Sequence, residues 1–117
     1  MGYIMLQSVV ETDTYLARAE KLMTQAERAA VVDAVARNPT AGVLIPGLNG
    51  VRKMRIPLEG RGKRGGGRVI YWFHSEGLPV VLLYVFAKNE ASDLTPAQAR
   101  TLSKVVQGMA QQFGKPR

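Results

Sequence analysis

The 117-residue chain has no cysteine and a single histidine. Without cysteine there is neither a disulfide framework nor a thiolate metal site, and one histidine rules out a histidine-cluster zinc site. No apolar run approaches the ~20 residues that a membrane-spanning helix needs. The opening MGYIMLQSVV has no basic region before its apolar residues and no small-residue cleavage site, so it is not expected to act as a signal peptide. Carboxylates are few, nine against sixteen lysines and arginines. Glu59, Glu90 and Asp93 are too scattered to suggest a two-metal nuclease. These absences leave a single cytoplasmic domain, residues 1–117, with no cofactor and no metal. Its formal charge of +7 favours a polyanionic partner, most naturally a nucleic acid.

That charge is concentrated. Residues 1–50 sum to −1 and residues 75–117 to +2, so +6 falls between Val51 and His74. There Arg52, Lys53, Arg55, Arg61, Lys63, Arg64 and Arg68 are opposed only by Glu59. Two strand-like runs, Val51–Leu58 and Arg68–His74, flank a loop of glycine, lysine and arginine. Alternate side chains of a strand share a face. Met54 and Ile56 suit a core, which leaves Lys53 and Arg55 together on the opposite side, and antiparallel pairing brings Arg68 near them. A cluster of cations on a sheet face is a phosphate-binding surface. The Gly65-Gly66-Gly67 run allows close backbone approach to a ligand. The same loop lacks the spacing of a nucleotide phosphate loop and no helix follows it, so nucleotide hydrolysis is not expected.

The rest of the chain reads as regular elements around this hairpin. Tyr3–Val10 is a strand pattern. Thr12 or Asp13 caps a helix to about Leu22, with Tyr15, Leu16, Ala19, Leu22 and Met23 at helical spacing. Thr24 and Glu27 form a capping-box pattern for a second helix that Asn38-Pro39 ends near Arg37. Residues 38–50 are a turn-rich connection, and Val80–Ala87 (VVLLYVFA) is a strand buried on both faces. Thr95, Pro96 and Gln98 cap a last helix with an apolar stripe of Leu102, Val105, Val106, Met109 and Phe113, stopped by Gly114. The expected fold is α+β, in the order β-α-α-β-β-β-α: a small antiparallel-rich sheet with helices packed on one face.

Four stretches in order resemble the RelE/ParE superfamily of bacterial toxins, and within it the HigB-like, phage-type branch. They are Pro46-Gly47-x-x-Gly50-Val51-Arg52-Lys53-Met54-Arg55, Gly60-Arg61-Gly62-Lys63-Arg64-Gly65-Gly66, Arg68-Val69-Ile70-Tyr71-Trp72-Phe73, and Ala87-Lys88-Asn89-Glu90-x-x-Asp93-Leu94. The resemblance implies a RelE-like fold and the toxin half of a type II toxin–antitoxin pair. Such toxins mostly cut mRNA in the ribosomal A site and are restrained by a cognate antitoxin, often a helix-turn-helix DNA-binding protein. Carried over by position, Lys53 and Arg55 match the family's basic residues on the first meander strand, and Arg68 its arginine on the second. Lys88-Asn89 match a basic residue at the end of the last strand, with Asn89 where some members have arginine. A tyrosine that some members use near the C-terminus has no counterpart, since none follows Tyr84.

The resemblance gives the cations a chemistry. When the RNA's own 2′-OH attacks the adjacent phosphate, the reaction needs a base, cations for the phosphorane and an acid for the leaving 5′-oxygen. The catalytic candidates are Lys53, as a base made less basic by crowded cations, Arg68 as stabiliser, and Arg55 or Lys88 at the leaving group. Arg52, Arg61, Lys63, Arg64, Tyr71 and Asn89 are RNA-binding candidates, and His74 is more simply a strand-end residue. A binding module without catalysis, or a gyrase-inhibiting ParE-like toxin, is the alternative; gyrase-directed relatives generally lack the full basic set.

Overall fold

A computed structural model describes residues 6–59, 65–91 and 93–113. It holds five strands and three helices: β1 (Val9–Glu11), α1 (Asp13–Leu22), α2 (Gln25–Arg37), β2 (Val43–Leu44), β3 (Val51–Ile56), β4 (Gly67–Trp72), β5 (Val80–Ala87) and α3 (Pro96–Phe113). The strands form one sheet in the order β1-β5-β4-β3-β2, parallel only between β1 and β5. The class and the run of elements agree with the sequence reading. Of the strand expected over Tyr3–Val10, residues 1–5 lie outside the described ones, and the strand itself is Val9–Glu11. Within the expected connection 38–50, Val43 and Leu44 pair with Lys53 and Arg52.

The helix starts follow from capping chemistry. Thr12 Oγ1 accepts from Tyr15 N at the head of α1. At α2 the capping box is complete: Glu27 N donates to Thr24 Oγ1 and Thr24 N to Glu27 Oε1. Thr95 and Gln98 repeat the arrangement at α3. Each such cap supplies backbone groups that the helix cannot satisfy itself, at about 1 kcal/mol.

The helices do not share a face, contrary to the single helical layer expected. α1 and α2 bury Tyr15, Ala19, Leu22, Val31 and Val35 against Ile56, Val69, Tyr71, Leu82 and Val85. α3 lies on the other side, where Val106 joins Leu48, Val51, Ile70, Trp72, Leu83 and Phe86. The reason is in the strand sequences. β4 and β5 are apolar at both parities, and every residue of β4 is buried, so each face needs its own cover. α3 covers its face only in part: Val105 and Phe113, expected in its apolar stripe, remain largely exposed.

Two glycines position the hairpin. A Cβ on Gly66, which has φ +66°, would stand 2.2 Å from Ile56 O, and one on Gly67 would stand 2.8 Å from Phe86 O. The requirement for glycine there comes from the chain's own neighbouring strands. Gly66 O in turn accepts from Lys88 N, tying the start of β4 to the end of β5.

Candidate functional site

In the β3–β4 ladder Arg55 stands directly opposite Arg68, and Lys53 opposite Ile70. Lys53, Arg55 and Arg68 share the face of Val51, Ile70 and Trp72, as the alternation predicts. Directly opposed like charges destabilise a sheet, and here one of the two is also desolvated. Arg68 is 7% exposed and is the only buried charged residue among those described. Its Nη1 donates to Gly67 O. Among the described residues no carboxylate forms an ion pair with Arg55 or Arg68. A buried guanidinium without an anionic partner is costly by itself and is relieved by an anion.

Lys53 differs, because its Nζ donates to Asp93 Oδ2 at 3.1 Å. Asp93 lies between β5 and α3. Its carboxyl is held below the ordinary carboxylate range first by the Leu94 N–H, and then by Lys53 and the charge of Lys88, against the opposing effect of partial burial. Lys53 therefore does not stand in a purely cationic neighbourhood, which weakens the reason for making it the base. Lys88 is exposed just past β5, on the Asp93 side of the site, and a Cβ on Gly65 would lie 3.3 Å from its Cγ. Asn89 follows it and is exposed.

A bulge completes the face. Ile70 pairs with Tyr84 but Tyr71 with Leu82, so Leu83 is an extra residue in β5. A bulge re-aims the side chains that follow it, and Tyr84 and Phe86 thereby join Leu83 on the α3 side. Beyond the end of β1, the open edge of β5 is closed by Arg18 of α1. Its Nε donates to Val85 O at 3.1 Å, its guanidinium lies 5.4 Å from the centre of the Tyr84 ring, and its Nη2 pairs with Glu90. Glu90 Oε1 also accepts from Ala87 N. Arg18 and Glu90 thus cap the edge groups that an added strand would use.

The chain matches the model of the "RelE toxin of RelE / RelB toxin-antitoxin system" over residues 13–115. It belongs to the RelE toxin family. The family makes it the toxin half of a toxin–antitoxin pair, with an antitoxin as partner. Among solved structures, the free state of a double arginine-to-alanine mutant of the E. coli toxin RelE superposes with a TM-score of 0.57 at 17% identity, over 83% of this chain and 97% of that one. That likeness is one of fold. No helix among the described residues is long and apolar enough to cross a membrane.

Within this RelE-family fold the candidate residues separate. Lys53, Arg55, Arg68 and Lys88 gather at one end of the α3-side face. Arg52 and Tyr71 stand opposite each other on the α1–α2 side. Tyr71 is fully buried, and its hydroxyl donates to Pro39 O and accepts from Gly42 N, so no ring face is open to a base. Arg52 Nη1 donates to Thr40 O and Gly42 O, fastening the same connection. Burial pushes the Tyr71 phenol above its ordinary pKa, partly offset by the Gly42 N–H and Arg52. Arg61, Lys63 and Arg64 lie outside the described residues. His74 lies past the far end of β4 from Arg68, its ring against Trp72. Arg18, Tyr84, Asp93 and Gln98 were not foreseen as site residues; only the cap at Gln98 and the motif position of Asp93 marked any of them in the sequence.

Proposed function

We propose that this toxin is an endoribonuclease of the HigB-like branch that cuts mRNA in the ribosomal A site and so inhibits translation. The observation that carries the reading is Arg68, a buried cation opposite a second arginine, with no described carboxylate on either. Such a pair is arranged for an anion that arrives from outside, and a phosphate of RNA fits a sheet face bearing Lys53, Arg55 and Lys88 nearby.

The reaction proposed needs no metal ion. The 2′-oxygen passes its proton to solvent water as it bonds to the adjacent phosphorus, the P–O5′ bond breaks, and the 5′-oxygen takes a proton from the Lys88 ammonium, which solvent then restores. The products are a 2′,3′-cyclic phosphate and a 5′-hydroxyl. Arg68 and Arg55 neutralise the phosphorane oxygens, Lys53, which Asp93 holds, adds a third cation, and Lys88 protonates the leaving 5′-oxygen. The antitoxin is expected to be a helix-turn-helix protein, and the site of action cytoplasmic, where ribosomes are.

Induced expression in bacteria followed by primer-extension mapping of transcripts tests this. The expected result is growth arrest with new 5′ ends inside translated regions, lost in Arg68→Ala at equal soluble protein. Arrest with transcripts intact would overturn cleavage and place the chain with toxins directed at gyrase.

A further inference from the structure

A cleft of about 220 Å³ opens beside the cation row, between β5 and the start of α3. Its walls are Arg18, Tyr84, Phe86, Glu90, Asp93 and Gln98. This is the volume of about seven liquid waters, room for one flat heterocycle and less than a drug-sized ligand takes. We propose that the cleft reads one base of the RNA, favouring a base with an exocyclic amino group beside a ring-nitrogen acceptor, adenine or cytosine, over uracil. The proposal rests on the RNA-cleaving reading and names the substrate feature that the same site recognises.

The placement follows from the register. Phe86 stands opposite Arg68, and Tyr84 opposite Ile70, whose other neighbour is Lys53. Asp93 belongs to both places: it lines the cleft and holds Lys53. A nucleotide whose phosphate sits on the cations has its base beside the half-buried Tyr84, a ring of the kind that single-stranded RNA uses as a platform, while Phe86 is buried in the core. The polar rim has a fixed order. Gln98 Oε1 accepts from Thr95 N at 2.9 Å, so the amide cannot turn, and Nε2 points toward Tyr84 Oη, 3.4 Å away. The cleft therefore brings together an N–H donor of Gln98 and the carboxylate of Asp93, which also accepts from Lys53 and the Leu94 N–H. An amino group gives to a carboxylate while the adjacent ring nitrogen takes from an amide N–H. Uracil presents carbonyl oxygens where those amino groups would be. Arg18, bonded to Val85 O and Glu90, keeps the Tyr84 wall in place before any ligand arrives.

Gln98→Glu is the informative substitution. Glutamate keeps the capping box with Thr95, so a merely structural role leaves the variant like the wild type. A reading role does not, because the donor becomes an acceptor and the rim then suits guanine, whose N1–H and N2–H₂ both donate. Two measurements are needed. Purified toxin is given ribosomes programmed with messages that differ in one A-site nucleotide, and single-turnover cleavage is timed. Separately, free toxin is titrated with 3′-AMP, 3′-CMP, 3′-GMP and 3′-UMP while its amide NMR signals are followed.

At one codon position wild type should cut adenine or cytosine about tenfold faster than uracil. Gln98→Glu should move the preference to guanine with an unchanged thermal melt, and Tyr84→Phe should shrink it. The adenine and cytosine nucleotides should shift signals around Tyr84 and Gln98 more than 3′-UMP does. Cleavage whose base profile is the same in wild type and Gln98→Glu overturns the pocket and leaves the nuclease reading standing. No cleavage of any message, with nucleotide-selective shifts at Gln98, overturns the nuclease reading and keeps the pocket as a nucleotide site. Neither cleavage nor selective shifts overturns both.

Discussion

The two faces of the sheet are built from the same strands, yet they treat polar groups in opposite ways. On the α1–α2 face most polar groups are answered from within: Tyr71 by Pro39 and Gly42, Arg52 Nη1 by Thr40 O and Gly42 O, and Tyr15 by Met23 Sδ, with only Arg52 Nε among these left without a partner. On the α3 face one end is core, around Val51, Trp72 and Val106, and the other end leaves Arg55 and Arg68 with no described anionic partner. A guanidinium can be held buried without a counter-ion only if the strand carrying it cannot move. The satisfied face supplies that rigidity, and the unsatisfied end of the other face uses it.

Tyr71→Ala should break the comparison most strongly. It removes a fully buried ring and strands the Gly42 N–H, and aromatic-to-alanine changes in cores cost about 3–5 kcal/mol. A chemical-denaturation curve measures it. Below its lower melting temperature the variant should still cut RNA, because Tyr71 points away from the cations. A fully stable variant with no activity would place Tyr71 in the site instead.

Arg68→Ala, three residues earlier, should do the reverse. Removing a charge that stabilises the transition state costs about 2.7–4 kcal/mol of barrier, roughly 100- to 1000-fold in rate. Removing an unpaired buried charge should leave the melt unchanged or raise it. A lower melting temperature that accounts for the lost activity would show Arg68 to be structural.

The contrast between these neighbours shows what was legible in the sequence. The caps at Thr24 and Thr95, the span Val80–Ala87 and the shared face of Lys53 and Arg55 follow from local rules, and the structure has all of them. Arg52 belongs to the basic run and Tyr71 is an aromatic of the kind that stacks on a base, but each sits one parity off the face that carries Lys53, Arg55 and Arg68. The cleft was invisible for a different reason. Tyr84 and Phe86 face the cations only because Leu83 bulges, and nothing in the continuous apolar run VVLLYVFA marks where the alternation slips. Arg18 comes from α1, and Asp93 and Gln98 from the lead into α3 and its first turn, two segments that only the tertiary fold brings together against β5. The second helical layer was missed because both faces of β4 are equally apolar, which a scan of the final helix alone does not reveal.

The core face also predicts an alkaline limit. Burial, then the nearby charge of Glu11, pushes the Tyr15 phenol from 10.0 up to about 12, with Arg28 opposing. Because the folded pKa is raised, the stabilisation is complete below pH 10 and is lost as pH rises through 12. Over that window the loss from Tyr15 alone amounts to at most ~2.7 kcal/mol. Melting temperatures of wild type and Tyr15→Phe from pH 8 to 12 should diverge only above pH 10, the variant falling less. Parallel curves would remove Tyr15 from the account.

The smallest effects per residue belong to Arg61, Lys63 and Arg64, and they sharpen the contrast between rigid and glycine-rich settings. Lys53 and Arg55 project from a paired strand, so their positions relative to Arg68 are fixed by the ladder. Arg61, Lys63 and Arg64 fall in a glycine-rich stretch of the sequence with no strand pattern of its own and lie outside the described residues. Charges of the first kind favour one arrangement of a phosphorane, whereas charges of the second kind favour any nearby phosphate. Lys53→Met and Arg55→Met should therefore bind ribosomes nearly as wild type does and cut poorly. The triple alanine variant of Arg61, Lys63 and Arg64 should bind weakly at moderate salt and recover at low salt. The slope of log affinity against log salt should fall by about 0.7 for each phosphate no longer neutralised, roughly 2 in total. Ribosome sedimentation across a salt series, paired with single-turnover cleavage, separates the two classes. A loop variant that binds normally at every salt concentration and never cuts would move the loop into the catalytic site and leave the strand cations as the ones that only bind.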